Sequence, residues 1–162
     1  MEVRMYHIAL IFILSFFPLD KVKTLDGNEV SLDSLLKEKP VYISFWALWC
    51  KGCIKELNQI KELADSGKIY VIAINEDGSR KLNRVKNFLK SRGWNFIHVI
   101  DKSQELMRKF RVIALPSSFL YSKSGLEHKF TGFSQKDYKQ LLLKIKELEM
   151  YYGKHNGSPE HN

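Results

Sequence analysis

This 162-residue chain contains only two cysteines and four prolines. Two cysteines exclude a small domain held together by several disulfides, and a chain of this length can bury a real core without them. No apolar run reaches the roughly 20 residues that a helix needs to cross a bilayer. Phosphate-binding, Ser-His-Asp and paired-carboxylate motifs are absent as well. The sequence therefore predicts one globular domain.

Acidic residues are also in deficit, with 18 against 26 basic ones and a formal net charge of +8. Such a balance is compatible with nucleic acid, anionic lipid or acidic protein partners. The lysines are spread along helical stretches such as "SRKLNRVKNFLKSRG" and "KIKELEM", where a solvated face explains them. No interleaving of basic and aromatic residues accompanies them, so we expect no nucleic-acid partner.

Residues 1–18 differ from the rest of the chain. Arg4 precedes the apolar stretch "IALIFILSFF", and Pro18 ends it, a pattern typical of the apolar region of an export signal. A buried strand of the domain is the alternative. No pair of small residues follows that would mark a cleavage site, so a signal peptide and a retained N-terminal membrane anchor both stay open. Either one predicts a location outside the cytoplasm, on the periplasmic or cell-envelope side of the membrane.

Periodicity and turn residues divide residues 19–150 into alternating strands and helices, followed by a hairpin and a closing helix. This order predicts an α/β fold with a mixed central sheet flanked by helices. Residues 151–162 are predicted to be a flexible polar tail. In chain order we expect two extended pieces joined at Asp26-Gly27 and a brief helix capped by Ser31 or Asp33. Strands are then predicted over 41–46, 69–74 and 95–100, and helices over 52–66, 79–92 and 103–110. A hairpin at Ser124-Gly125 follows, and a last helix opens at Ser134 and Asp137 and ends about Met150.

Both cysteines lie in "FWALWCKGCIKEL", where a buried strand gives way to a helix. The free amides and the dipole at the start of a helix stabilise a thiolate, so Cys50 is predicted to be the nucleophile. Cys53 lies one turn further along, less exposed and close enough to form a disulfide with it. Cys50 would attack a partner's disulfide, and Cys53 would resolve the mixed disulfide. Lys51 adds a positive charge that favours the thiolate.

The segments "FWALWCKGC" and, about sixty residues later, "LPSSFLY" resemble the thioredoxin superfamily. Within it the chain is most similar to the TlpA/ResA-type exported thiol-disulfide oxidoreductases. Further marks of that group are the apolar N-terminal segment, the entry region "LDGNEVSL", the Cys-x-x-Cys-x-x-Glu pattern and a helix-strand insertion over residues 79–100. The resemblance covers residues 19–150.

The resemblance implies roles for several residues. Pro116 is expected to be cis and to face the disulfide, the Leu115 backbone to pair with bound substrate, and Trp49 to cover the site. Glu56 would tune the pKa values of the cysteines and help to move a proton, although a solvated helix position would explain it equally well. Trp46, by contrast, is predicted to be a core residue, as are Trp94 and Phe96 under the insertion.

Two positions depart from the pattern. Gly52 stands where a proline often precedes the second cysteine, which predicts a less rigid loop. Ser44 occupies the position of the buried aspartate of thioredoxin, so Glu56 or water must serve any proton transfer.

Metal binding is the main alternative for a lone Cys-x-x-Cys pair. Structural zinc needs four ligands, and no histidine clusters with the thiols along the sequence. Cuprous ion also favours sulfur, but the copper carriers of this superfamily have a wider cysteine spacing and a partner histidine. A redox-inert binding module is the third alternative. The histidines are His7, His98, His128, His155 and His161.

The resemblance implies an enzyme that reduces the disulfides of specific protein partners outside the cytoplasm, for example in cytochrome c maturation. A membrane thiol carrier would supply the electrons, and the exchange itself requires no organic cofactor or metal. A dithiol oxidase that introduces disulfides is the alternative within the fold, and a copper-binding chaperone is the alternative outside enzymes.

Overall fold

The computed structural model describes residues 20–156, with side chains to residue 153. The predicted N-terminal segment, residues 1–18, lies outside the described residues, as do residues 157–162 of the predicted tail. The elements are β1 (Lys21–Lys23), β2 (Glu29–Ser31), α1 (Leu32–Glu38), β3 (Val41–Trp46), α2 (Lys51–Asp65), β4 (Tyr70–Asn75), a 3-10 turn (Ser79–Lys81), α3 (Leu82–Arg92), β5 (Ile97–Ile100), α4 (Glu105–Lys109), β6 (Ser117–Ser122), β7 (Gly125–Thr131) and α5 (Gln135–Asn156).

A five-stranded mixed sheet in the order β5-β4-β3-β6-β7 forms the centre of the domain. The central strand β3 pairs in parallel with β4 and antiparallel with β6. All six residues of β3 are buried, because helices cover both faces of the sheet. The predicted α/β fold is confirmed. β1 and β2 form a separate two-stranded pair, joined by the predicted turn, in which Gly27 has a φ of 92°.

Alternate residues of β3 point to opposite faces of the sheet, as strand geometry requires. Ile43 and Phe45 belong to the core on the side of α1. Tyr42 packs on the other side, with residues of α2 and α5. Trp46 shares that second side with the two cysteines and with Trp94 of the insertion, and its ring centroid lies 5.6 Å from that of Trp94. The alternation directs Tyr42, Ser44 and Trp46 toward the helix that carries the cysteines.

The closing helix is longer than predicted. We expected it to end about Met150, but α5 continues to Asn156. Tyr152 explains the extension because its side chain is buried, and its hydroxyl donates to the Leu36 carbonyl at 2.9 Å and accepts from the Lys123 amide at 3.1 Å. These partners are distant in sequence, whereas the local composition of "GKHN" is that of a loop. The flexible tail therefore cannot begin at residue 151.

The other differences are small. Ser31, rather than Asp33, caps α1, and its hydroxyl accepts from the Ser34 amide at 3.4 Å. The predicted helix over residues 79–92 begins as a 3-10 turn, and β5 starts two residues later than expected. Within residues 20–156, none of the helices combines the length and the apolar content that a bilayer span requires.

Candidate active site

Cys50 and Cys53 form a disulfide with a Cα–Cα distance of 5.3 Å. Cys50 is the N-cap of α2, and its Sγ accepts from the Cys53 amide at 3.2 Å. Cys53 is fully buried, whereas Cys50 retains 6% of its surface. The thiolate formed at Cys50 on reduction would therefore lie at the positive end of a 15-residue helix, in contact with a backbone N–H donor.

Pro116 directly precedes β6 and lies against the first turn of α2. The Leu115–Pro116 peptide bond is cis, as expected. A Cβ atom placed on Gly52 would be 3.6 Å from Cδ of Pro116, so the proline ring packs against the first turn of α2. The departure at Gly52 thus falls at the contact between this turn and the cis-proline segment.

Two large apolar side chains are exposed along these same segments. Trp49, directly before Cys50, is 66% exposed, and Ile113, three residues before Pro116, is 93% exposed. Leu115 itself is half-buried against the core. Sequence reasoning identified Trp49 and missed Ile113, although an isoleucine in the segment leading to the cis-proline is a signal that could have been used. Exposed side chains of this size are common at binding surfaces.

Glu56 is fully buried, so its interpretation as a solvated helix residue is wrong. Its Oε1 accepts from the Tyr42 hydroxyl at 2.9 Å and from the Ser44 hydroxyl at 3.0 Å. The Tyr42 hydroxyl also lies 2.7 Å from Oγ of Ser118. Burial raises the pKa of Glu56 to about 7, although the three neighbouring hydroxyl groups act in the opposite direction. A carboxyl group with this pKa exchanges its proton near neutrality.

Lys51 is the first residue of α2, and its side chain is exposed. It forms none of the ion pairs found within residues 20–153. Its predicted influence on Cys50 stays a prediction.

A second buried carboxyl group, which sequence reasoning missed, follows β4. Glu76 is 8% exposed, and burial, Asp101 and Asp77 together raise its pKa to about 8. Asp77 accepts from the Leu48 amide at 2.6 Å and so holds the loop that leads to Cys50. Asp101 accepts from the amides of Glu105 and Met107, both at 2.9 Å, at the start of α4. The signal was available, because carboxylates follow two neighbouring parallel strands that end at the same edge of the sheet.

The described part of the chain contains no group of three or more His, Cys, Asp and Glu residues arranged to hold a metal ion. The ring of His98 contacts the Trp94 carbonyl at 3.3 Å, and the ring of His128 lies 4.4 Å from that of Phe130. His7 and His161 lie outside the described residues.

A mixed sheet, a helix that begins at a cysteine pair and a cis-proline against its first turn together define a thioredoxin-like protein. StoA from Bacillus subtilis has the same fold, with a TM-score of 0.63 and 26% identity over 78% of this chain and 94% of that one. The chain belongs to the AhpC/TSA family, whose model matches residues 14–126.

Curated relatives of this chain include two proteins named thiol-disulfide oxidoreductase ResA. The protein from Geobacillus thermodenitrificans is 34% identical over 127 residues, which cover 75% of this chain and 71% of that protein. The protein from Bacillus thuringiensis is 37% identical over 107 residues, which cover 64% of this chain and 60% of that protein. The match thus spans less than two thirds of the second relative. The resemblance to the ResA type inferred from the sequence is confirmed.

Proposed function

We propose that this chain is a thiol-disulfide oxidoreductase that exchanges electrons with protein disulfides through Cys50 and Cys53. The main support is the disulfide at the N-cap of α2, where the sulfur of Cys50 accepts a backbone hydrogen bond beside the cis-proline. The names of the ResA relatives support the same activity. Having no cysteine outside the pair suits the reaction, because no third thiol competes for the mixed disulfide.

In the reducing direction, the Cys50 thiolate attacks one sulfur of a partner's disulfide. A Cys50–partner disulfide forms, and the other partner sulfur leaves with the electron pair. Cys53 then gives its proton to Glu56, and its thiolate attacks Sγ of Cys50. The second partner sulfur leaves, so that two electrons have passed from the cysteine pair to the partner. The burial of both Cys53 and Glu56 on the inner face of α2 supports this proton transfer.

Contacts with the partner would come from the exposed rim around Cys50. Trp49 would cover the bound segment, and the backbone of Leu115, before Pro116, would pair with it. The exposure of Trp49 and the position of Pro116 against the first turn of α2 support these roles. Lys51 would favour the thiolate form of Cys50 through its positive charge.

The reaction is proposed to run outside the cytoplasm, toward reduction of protein partners such as those of cytochrome c maturation. The apolar segment within residues 1–18 supports export, either as a cleaved signal or as a membrane tether. A membrane thiol carrier would then return electrons to the pair. The opposite direction, oxidation of exported proteins, uses the same residues and differs in the reduction potential.

Reduction of insulin disulfides by the dithiol form tests the activity. We expect Cys50→Ser to reduce the rate to that of the uncatalysed reaction, and Cys53→Ser to accumulate a mixed disulfide on Cys50. Wild-type protein that is no faster than Cys50→Ser would contradict the proposal. The reduction potential then gives the direction, because about -270 mV is typical of a reductant and about -120 mV of an oxidant.

A further inference from the structure

The hydroxyls around Glu56 come from two neighbouring strands. Tyr42 and Ser44 lie two residues apart on β3, and Ser118 lies on β6, directly opposite Ser44 in the sheet register. All three side chains are buried, on the face of the sheet that α2 covers. We call these three residues, which surround one carboxyl group, the hydroxyl cradle.

One carboxylate oxygen accepts both hydrogen bonds that the cradle donates to Glu56. Tyr42 and Ser44 both donate to Oε1 of Glu56. The Tyr42 hydroxyl has one proton, so when it donates to the carboxylate it accepts from Ser118, which lies 2.7 Å away. The cradle therefore works as a connected network, in which Ser118 orients the Tyr42 hydroxyl toward Glu56.

The second oxygen of the carboxyl group is left without a partner. Oε2 of Glu56 is buried and has no hydrogen bond to any of residues 20–153. Glu56 lies three residues after Cys53 on α2, so the two side chains share a face of the helix, and both are fully buried. The fixed Oε1 leaves Oε2 as the oxygen that can take a proton.

We propose that Tyr42, Ser44 and Ser118 are positioning residues that hold Glu56 as an ionised carboxylate, with Oε2 free to accept the proton of Cys53. The proposal rests on the proposed exchange reaction and names the groups that adapt this chain to it. In the resolving step the proton moves from Sγ of Cys53 to Oε2, and the Cys53 electron pair forms the bond to Sγ of Cys50.

Among the described residues, hydroxyl groups rather than positive charges stabilise the ionised form of Glu56. Within the described residues, the groups that lower its pKa are these three hydroxyls, and no lysine or arginine takes part. Tyr42, from β3, is the titratable group in contact with it, and the charge of Asp137, on α5, acts on the Tyr42 hydroxyl. Without donors, full burial would keep the carboxyl group protonated near neutral pH and unable to act as a base.

Titration of Glu56 in the oxidised protein tests the proposal without relying on activity. The carboxyl carbon signal, assigned with Glu56→Gln, is followed by NMR against pH while the disulfide removes both thiols from the titration. We expect a midpoint near the pKa of about 7 in the wild type. Tyr42→Phe removes one hydrogen bond to a charged group and should raise the midpoint by about one pH unit.

Two further variants separate positioning from packing. Tyr152→Phe also removes a buried tyrosine hydroxyl with two hydrogen bonds, but far from Glu56, so its midpoint should equal that of the wild type. Ser118→Ala should raise the midpoint and Ser118→Thr should restore it, because threonine keeps the hydroxyl. This pair keeps the test decisive if Tyr42→Phe does not fold.

The same shift should appear in activity. The rise of the insulin-reduction rate with pH should begin about one unit higher in Tyr42→Phe than in the wild type. A midpoint of Glu56 that is the same in Tyr42→Phe, Ser118→Ala and the wild type would overturn the cradle while leaving the exchange reaction intact. An inactive wild type with a shifted midpoint would instead overturn the proposed function and leave the cradle standing.

Discussion

Glu56 and Glu76 are both buried glutamates, and their surroundings are opposite in kind. Glu56 lies among hydroxyl groups, which stabilise the ionised form and lower the pKa that burial raises. Glu76 lies near Asp101 and Asp77, whose charges add to the effect of burial. The pKa values are about 7 and about 8. Burial thus sets the direction of both shifts, and the neighbours decide how far each goes.

The difference matches what each region does in the structure. The hydroxyls around Glu56 stabilise a carboxylate on the helix that carries Cys53, which suits the proposed proton transfer. The carboxyl groups near Glu76 bind backbone amides instead, since Asp77 holds Leu48 and Asp101 holds the start of α4. We infer that the first region tunes chemistry, whereas the second fixes the loops on either side of it.

The largest effect is expected for Glu76→Gln on stability. The folded-state pKa of about 8 lies above the unfolded value of 4.5. The protonated side chain therefore stabilises the fold fully below about pH 4.5, and this contribution is lost as the pH rises to about 8. Glu76→Gln should be more stable than the wild type by about 5 kcal/mol at pH 9 and equal to it at pH 4. Urea unfolding of the oxidised proteins at both pH values measures this.

Equal stability of Glu76→Gln and the wild type at pH 9 would remove the contrast between the two regions. It would mean that Glu76 is ionised in the folded protein without lowering the free energy of unfolding. A reducing agent must be absent from these measurements, because loss of the disulfide changes the unfolded state.

Glu56→Gln should give a smaller gain in stability together with a loss of function. The folded-state pKa of Glu56, about 7, lies above the unfolded value of 4.5. The stability that the protonated Glu56 side chain contributes is therefore lost as the pH rises from about 4.5 to about 7. We expect Glu56→Gln to be more stable than the wild type by about 3 kcal/mol at pH 8 and equal to it at pH 4. Slower resolution of the mixed disulfide near pH 7 should accompany it, measured by rapid quenching and alkylation.

Glu76→Gln provides the matched control for this variant. It alters a buried glutamate of similar pKa away from the helix that carries Cys53, so the stability of the two variants should change in the same direction. A resolving rate that falls equally in both variants would contradict the assignment of different roles to the two regions.

The smallest effects are expected from the carboxyl neighbours of Glu76. Asp101→Asn should lower the pKa of Glu76 by about one unit, because the charge of Asp101 is removed while one of its acceptors is kept. Asp77→Asn should lower it less, since Asp77 contributes the smallest of the four causes. NMR titration of the Glu76 carboxyl carbon measures both shifts. A larger shift in Asp77→Asn than in Asp101→Asn would reverse this order.

The motif residues were the easiest part of the site to predict. Cys50 and Cys53 follow a buried apolar strand and begin a helix with a regular apolar face, and both features are local. The cis form of Pro116 followed from the resemblance, since a proline just before "SSFLY" fits the first position of a strand. The extent of α5 could not be predicted in this way, because it depends on contacts of Tyr152 with Leu36 and Lys123.

The surroundings of the motif were harder to predict. Glutamate favours helices whether buried or exposed, so the sequence left the position of Glu56 open. Tyr42 looked like an ordinary member of a buried strand, and Ser44 stood out only as a departure from the thioredoxin pattern. Tyr42 and Ser118 are 76 residues apart, and only the antiparallel pairing of β3 with β6 brings their hydroxyls together.

The sequence by itself determined the α/β order of elements and the cysteine pair at the start of a helix, because periodicity, spacing and turn residues act locally. Membership of a thioredoxin-like family followed from the resemblance of its motifs. The tertiary structure decided which carboxyl groups are buried and what surrounds them. The physical reason is that a pKa depends on solvent exclusion and on donors or charges within a few ångströms, and these neighbours come from strands far apart in the chain.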